Sequence, residues 1–352
     1  MGFFSPKPDF HIPEDGIDGI DRIDTITLGS IQQSILIQSH SPKNPVLLFL
    51  HGGPSMPLPG VSSRGRNYTV ATNTKELVKH FTVVFWDQRG TGKSYHKNIP
   101  QHTMTFEQLI SDAAELTDFL RETFHQEKIF LAAHSFGTLI GMYLLKKLPG
   151  KFHSYVGLSQ IINWSENDRE GLEWAKKEAK RRGDFKALNE LEAVGDPPFT
   201  EGYKQWGILR KWQMKYSTMV YNDSQIKHPG LLKVSLGMLS SSDYRVADVF
   251  HSFYSGFKLI YTDKFIRNIP MIDVQKDVPS VDVPVTFIHG RKDVHVHAHF
   301  AEDYLSTLKT NYEKNFIWME KSAHLFHPDD TALIEQQLIN ELSHIKAEVI
   351  NL

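Results

Sequence analysis

Ser135 sits in Ala133-His134-Ser135-Phe136-Gly137. The run before it, Lys128-Ile129-Phe130-Leu131-Ala132-Ala133, reads as a buried strand. The stretch after it, Thr138-Leu139-Ile140-Gly141-Met142-Tyr143-Leu144-Leu145, reads as an apolar helix. A serine in a tight strand-to-helix turn is held in a strained conformation with its hydroxyl in the open. The helix N-terminus behind it favours negative charge. This is the setting of a nucleophile elbow, G-x-S-x-G, with Ala133 in place of the first glycine. Alanine is the smallest residue with a Cβ, so it keeps the turn within reach. Such a serine attacks an acyl carbonyl when a histidine takes its proton and a carboxylate orients the histidine.

Two later turns supply those partners. Asp293 ends His289-Gly290-Arg291-Lys292-Asp293, directly after the apolar run Val283-Pro284-Val285-Thr286-Phe287-Ile288. His324 ends Glu320-Lys321-Ser322-Ala323-His324, after Asn315-Phe316-Ile317-Trp318-Met319. The order Ser135, Asp293, His324 is the chain order of a triad on an α/β sheet. Ser135 would attack, His324 would take and return the proton, and Asp293 would fix the imidazole tautomer. Asp282 competes with Asp293 but precedes its strand. His327 lies too far into the approach to the last helix, and His344 lies on that helix. The oxyanion would be met by the N–H of Phe136 and by the His51-Gly52-Gly53-Pro54 turn, through Gly53 with Gly52 as the alternative. Read alone, Gly-Gly-Pro is equally an ordinary turn.

Two other motifs suggest different chemistry. Gly92-Lys93-Ser94 ends like a phosphate-binding loop, but Asp87 stands where that motif needs glycine. The residues that follow, Tyr95 to Pro100, make a poor helix start. Asp87 and Arg89 read instead as buttresses of a structural turn. His295, His297 and His299 alternate like metal ligands. A helix starting near Ala298 would scatter their rings, and no carboxylate joins them at a ligand spacing. Solvated or cap-facing histidines are the expectation, with no metal and no cofactor.

The elements that must position these residues follow from the apolar runs. Val46 to Leu50, Phe81 to Trp86, Ile129 to Ala133 and Tyr155 to Leu158 are short and continuous, as parallel strands covered on both faces should be. The runs ending at Ile288 and Met319 complete the set. Helices are expected over 106–124, 138–148 and 331–345. Residues 9–44 carry alternating pieces that read as antiparallel edge strands. Strands alternating with helices indicate a doubly wound parallel sheet. Residues 159–275 break that rhythm: 170–182 and 185–194 are charged amphipathic helices, followed by pieces rich in Trp and Tyr. The division is a core of 1–158 and 276–352 with a helical cap of 159–275.

Composition narrows the function. The chain has 352 residues, 40% hydrophobic and 23% charged, with a net charge of −2. That balance gives no electrostatic reason to bind nucleic acid or an anionic membrane. The absence of cysteine excludes disulfides, thiolate metal sites and a thiol nucleophile. The first residues lack the apolar core of a signal peptide, and no apolar run is long enough to span a bilayer. A cytoplasmic protein is expected.

Taken together the chain resembles the α/β-hydrolase superfamily, and more closely its proline iminopeptidase branch, peptidase family S33. The matches are residues 45–54, Asp87-Gln88-Arg89-Gly90-Thr91-Gly92-Lys93-Ser94, 134–137, 290–293 and 322–324. The resemblance implies an α/β-hydrolase fold, serine hydrolysis of amide or ester bonds, no cofactor, and a helical cap that shapes the substrate pocket. Members that release N-terminal proline hold the substrate amine with carboxylates largely from the cap. Glu166, Glu170 and Glu173 are candidates for that role here, against a plain solvated helix face. The chain departs from the branch at Ala133-His134-Ser135-Phe136-Gly137, where Gly-Gly-Ser-Trp-Gly is usual, and at Ser55 and Ala323, where glycine is usual. The expected substrate is a small molecule or short peptide. An aminopeptidase is the first expectation, and an esterase, lactonase or amidase for a small apolar substrate the second. A non-catalytic ligand-binding protein is the third, disfavoured by an intact Ser135–Asp293–His324 set.

Overall fold

The computed structural model describes residues 19–64, 71, 74–221, 236, 238–239 and 243–345. Eight strands form one sheet: β1 (Ile20–Leu28), β2 (Ile31–Ser39), β3 (Val46–Leu50), β4 (Thr82–Asp87), β5 (Ile129–His134), β6 (Phe152–Leu158), β7 (Val285–Gly290) and β8 (Lys314–Met319). Their order is β1-β2-β4-β3-β5-β6-β7-β8. The alternating segment near the N-terminus gives the antiparallel hairpin β1–β2, and β2 also pairs antiparallel with β4. All further pairings are parallel. The strands read as continuous apolar runs are buried along their length, β3, β4, β5 and β7 at every residue. Edge strand β8 is exposed at its start, which accords with its Lys314-Asn315 opening.

Helices α1 (Thr74–His80), α2 (Phe106–Thr123) and α3 (Phe136–Lys147) connect the first strands. Between β6 and β7 the chain leaves the sheet. Residues Trp164–Arg182 form α4, Phe185–Ala193 form α5 and Tyr203–Lys215 form α6, followed by short helical turns up to Asp277. Helices α7 (Ala298–Thr307) and α8 (Pro328–Asn340) flank β8. The last helix starts earlier than the expected residue 331. Pro328 occupies its first turn, where a missing N–H does no harm, and His327 Nδ1 accepts the N–H of Asp329 as its cap at 3.1 Å. It also stops at Asn340, short of the expected 345.

From β3 the chain crosses to β4 on one side and later returns to β5 on the other. The sheet therefore has its switch point between β3 and β5, where Leu50 pairs with Ala133. Crevices outside the carboxyl ends of strands at such a point are where open α/β sheets bind ligands. His51-Gly52-Gly53 leaves β3 there, and Ser135 leaves β5.

Candidate active site

Ser135 joins β5 to α3 with φ 53° and ψ −124°, a strained region for a residue with a side chain. The strain is imposed by packing on both sides. Ser135 N–H donates to Leu158 O at 3.0 Å, and Thr138 N–H donates back to Ser135 O at 2.8 Å. Gly137 is required by close approach: a Cβ there would stand 2.5 Å from Leu50 O and 2.6 Å from His51 O. Ala133 fits in place of the elbow's first glycine because it lies within β5, fully buried in regular strand.

His324 Nε2 is 2.9 Å from Ser135 Oγ, and His324 Nδ1 is 3.0 Å from Asp293 Oδ2. Asp293 is further held by four donors in all. Its Oδ2 also accepts Ser159 Oγ at 3.0 Å, and its Oδ1 accepts the N–H groups of His295 and Val296 at 2.8 and 2.9 Å. Burial alone would raise the Asp293 pKa. The His324 ring beside it and these donors outweigh burial and hold it well below the ordinary carboxylate range. An ionised carboxylate behind an imidazole keeps Nε2 ready to accept a serine proton. Asp282, by contrast, is exposed ahead of β7.

The β3 turn is fastened by His51. Its Nε2 accepts the N–H of Gln88 at 3.1 Å, so Nδ1 carries the proton and donates to Gly52 O at 2.7 Å. Burial lowers the His51 pKa to about 4, so this ring stays neutral. A Cβ on Gly52 would lie 2.9 Å from Ser135 Cβ, and Gly53 has φ 121°, open only to glycine. Phe136 is the first residue of α3, so its N–H has no partner within the helix. The Asp87-Gln88-Arg89 turn is structural, as expected. Asp87 is fully buried and accepts Val61 N–H and Lys93 N–H, each at 2.9 Å, and the Tyr244 hydroxyl. Arg89 grips Asp112 at 2.6 and 2.9 Å.

A cavity of about 260 Å³ opens over these residues. Gly52, Gly53, Ser135 and His324 form part of its wall, and Trp164, Trp206 and Tyr261 face them from the helical insertion. Ser135, His324 and the neighbouring turn thus meet one largely apolar space.

A family model described as serine aminopeptidase, S33, matches residues 68–223. The probable aminopeptidase YbaC of Bacillus subtilis (strain 168) is 31% identical over 91% of this chain and 95% of its own length. The chain belongs to the serine aminopeptidase family S33. It is therefore a hydrolase, and its sheet is that of the α/β-hydrolases. A proline iminopeptidase-related protein of Thermus thermophilus superposes with a TM-score of 0.62 at 17% identity, covering 92% of this chain and 98% of that one. The epoxide hydrolase VrEH1 of Vigna radiata superposes at 0.51 and 19% identity, over 92% and 98%. In this S33 member the matched stretch contains Ser135 and ends before Asp293 and His324.

The three glutamates of α4 do not reach the cavity wall of this S33 protein. Glu166 pairs with Arg169 and Glu173 with Lys176, each at 3.2 Å on the exposed side of the helix. The buried face of α4 carries Trp164, Asn167, Asp168, Gly171, Leu172 and Ala175 instead. Glu170 departs from the expectation in another way. Its carboxylate meets His297 Nδ1 at 3.3 Å and His299 Nε2 at 3.0 Å, so a carboxylate does join two of the alternating histidines. The helix starting at Ala298 separates these two from His295, which lines the cavity with its ring centroid 4.7 Å from that of His324. Among the described residues, no group of three or more His, Asp or Glu is arranged to hold a metal ion. Among those residues also, no helix is long and apolar enough to cross a membrane.

Arg210, Lys211, Asn167 and His295 are among the polar cavity residues not singled out from sequence as binding groups. Arg210 is bound to the buried Asp168 and to Gln213, and its guanidinium lies 5.6 and 5.0 Å from the ring centres of Trp164 and Trp206. A signal for it was present. Tyr203, Trp206, Gly207, Arg210, Lys211 and Met214 recur at steps of three and four along α6, and all line the cavity.

Proposed function

We propose that the protein is a serine hydrolase that opens amide or ester bonds through Ser135, His324 and Asp293, and that it acts as a proline iminopeptidase-like aminopeptidase on short peptides. The observation that carries this reading is the hydrogen-bonded line from Asp293 Oδ2 through His324 to Ser135 Oγ, 3.0 and 2.9 Å, at a strained elbow beneath a cavity. Ser135 Oγ bonds to the substrate carbonyl carbon as its proton passes to His324 Nε2. The oxyanion is met by the N–H groups of Phe136 and Gly53, with Gly52 the alternative to Gly53. The C–N or C–O bond then breaks, and the leaving group takes the proton from His324. Water repeats the sequence on the acyl-enzyme and frees Ser135. In this reading the helical insertion, residues 159–275, is the cap that encloses the acyl group. Soluble cytoplasmic action on a small molecule or short peptide fits the same reading.

A second reading is an esterase or amidase for small apolar substrates. It draws on one observation: no Asp or Glu is among the described residues that line the cavity. The two readings separate on the substrate amine. A prolyl arylamide, its N-acetylated form and a simple aryl ester are compared by kcat/KM. An ammonium held by a desolvated carboxylate is worth roughly 2–5 kcal/mol, so an aminopeptidase should lose about two orders of magnitude or more on acetylation. Equal rates on free and acetylated amides favour the esterase reading. Ser135→Ala should lower turnover of every substrate by about 10⁴ to 10⁶ without loss of fold. Near-native turnover by that variant would end both readings.

A further inference from the structure

The turn that carries Asp293 is gripped from outside by one side chain. Asn167, buried in α4, donates from Nδ2 to His295 O at 3.0 Å and accepts the N–H of His297 on Oδ1 at 3.0 Å. One planar amide thus clasps two peptide groups on the segment after Asp293. The N–H groups of His295 and Val296 within that segment donate to Asp293 Oδ1 at 2.8 and 2.9 Å. Asp293 Oδ2 in turn meets His324 Nδ1 at 3.0 Å. A continuous path of hydrogen bonds and peptide groups therefore runs from the helical insertion to the imidazole beside Ser135. The same clasp fixes the backbone of His295, whose ring is tilted 57° against that of His324 at the cavity wall.

Other contacts also hold α4, within the insertion and on the core. Asn163 Nδ2 reaches Asp273 Oδ2 at 3.0 Å, and Ser165 Oγ reaches Pro270 O at 2.7 Å. Glu170 adds its contacts to His297 and His299 one turn further on. Glu170 meets side chains beyond the acid turn, whereas the buried Asn167 amide grips the backbone of that turn itself. Small displacements of a reacting group made far from the chemistry are enough to slow it strongly.

We propose that Asn167 is a positioning residue: through the 295–297 backbone it fixes the Asp293 carboxylate and the His295 ring against His324. The inference rests on the reading of Ser135, His324 and Asp293 as the catalytic set. It ties the geometry of that set to the docking of the helical insertion.

The test compares the native enzyme with Asn167→Ala and Asn167→Asp on one aryl ester. The Ala variant loses both bonds. The Asp variant keeps an acceptor for His297 N–H but sets a carboxylate against His295 O. Once protonated, that acid regains a donor. The charged and titratable groups around it are His295, His297, Asp293, His324, Glu170, Asp168 and Arg210, so the ratio to native activity is read at each pH. Both variants should lose about tenfold to a hundredfold in kcat with KM changed less than about threefold. The Asp variant should recover relative to native as the pH falls. The low-field proton resonance of His324 Nδ1–H should shift or broaden in both. If the Ala variant does not fold, the Asp variant and its recovery decide. Native kcat with an unmoved resonance and only a lower melting temperature would make Asn167 a structural pin and overturn the inference. A change confined to KM would make it a substrate contact and do the same. Full turnover by Ser135→Ala would instead remove the underlying reading, whatever the Asn167 variants do.

Discussion

Gly290 and Ala323 meet backbone to backbone at the ends of β7 and β8. A Cβ built on Gly290 would stand 2.6 Å from Ser322 O and closer still to Ala323 O. Around this contact Arg291 N–H donates to Met319 O and Lys292 N–H to Ser322 O, both at 2.9 Å. The turn bearing Asp293 and the turn bearing His324 are thereby fixed as one unit.

Gly290→Ala is accordingly expected to force these turns apart. Overpacking against backbone typically costs about 1–3 kcal/mol. Denaturant unfolding should show that loss, and kcat should fall with it because Asp293 and His324 separate. Native stability together with native kcat would mean that the two turns are not coupled.

Asp293→Asn should lower kcat far more than it raises KM, since the carboxylate touches His324 rather than the cavity. An amide there favours the wrong imidazole tautomer, and losses on the order of 10⁴ have that cause in triads. Asp282→Asn should leave kcat near native, because Asp282 is exposed ahead of β7. Steady-state kinetics of the pair would refute the assignment of Asp293 if the effects were reversed.

Activity should be insensitive to a strong chelator. His297 and His299 each pair with the same Glu170 carboxylate, and His295 is turned away to the cavity. The proposed mechanism also routes no step through a metal. Loss of turnover on chelation, reversed by added zinc, would contradict this.

Stability should decline in mild acid. Burial lowers His51 and His289 to about 4 and His134 to about 3, from an ordinary 6.5. Each is neutral when folded and takes up a proton when unfolded below pH 6.5, so each favours unfolding as pH falls from 6.5 toward 4. Burial raises Asp87 from 3.8 to about 6 and Glu335 from 4.5 to about 7, so these two favour folding as pH falls through the same range. Burial also lowers His295, His297, His40 and His251 and raises Asp168, so more histidines oppose folding than carboxyls favour it, which predicts a net loss of stability between pH 6.5 and 4.5. Asp293, held low, adds to the loss only below its unfolded value of 3.8. Unfolding midpoints taken across that range check the sign. A stability that rises steadily as pH drops from 6.5 to 4.5 would count against it.

The sequence by itself determined the strands of the sheet and the three residues, Ser135, Asp293 and His324, that the fold lines up. Buried parallel strands need apolar side chains on both faces, so β3, β4, β5 and β7 appear as unbroken runs. The residues that leave such strands at their carboxyl ends are the ones a doubly wound sheet collects at its crevice. Ser135, Asp293 and His324 could therefore be named from local pattern and chain order, and the structure brings them within hydrogen-bond reach. The family resemblance rested on the same turns.

Tertiary structure alone decided what the helical insertion presents to that line. The alternating charges of α4 identify a helix and an exposed side, but not which loop its buried side meets. Asn167 reaches peptide groups 128 and 130 residues away, and Glu170 takes His297 and His299 while His295 turns to the cavity. No periodicity encodes such contacts. They depend on the angle at which α4 lies across the acid turn, which is set by packing against α5, α6 and the short helices before β7. The same packing buries Asp168 against Arg210 and leaves the glutamates of α4 outside the cavity. A charged side chain far from its partner in sequence carries no local mark of whether it will face water or a site. Only the fold supplies that, because burial is a property of the assembled surface rather than of the residue.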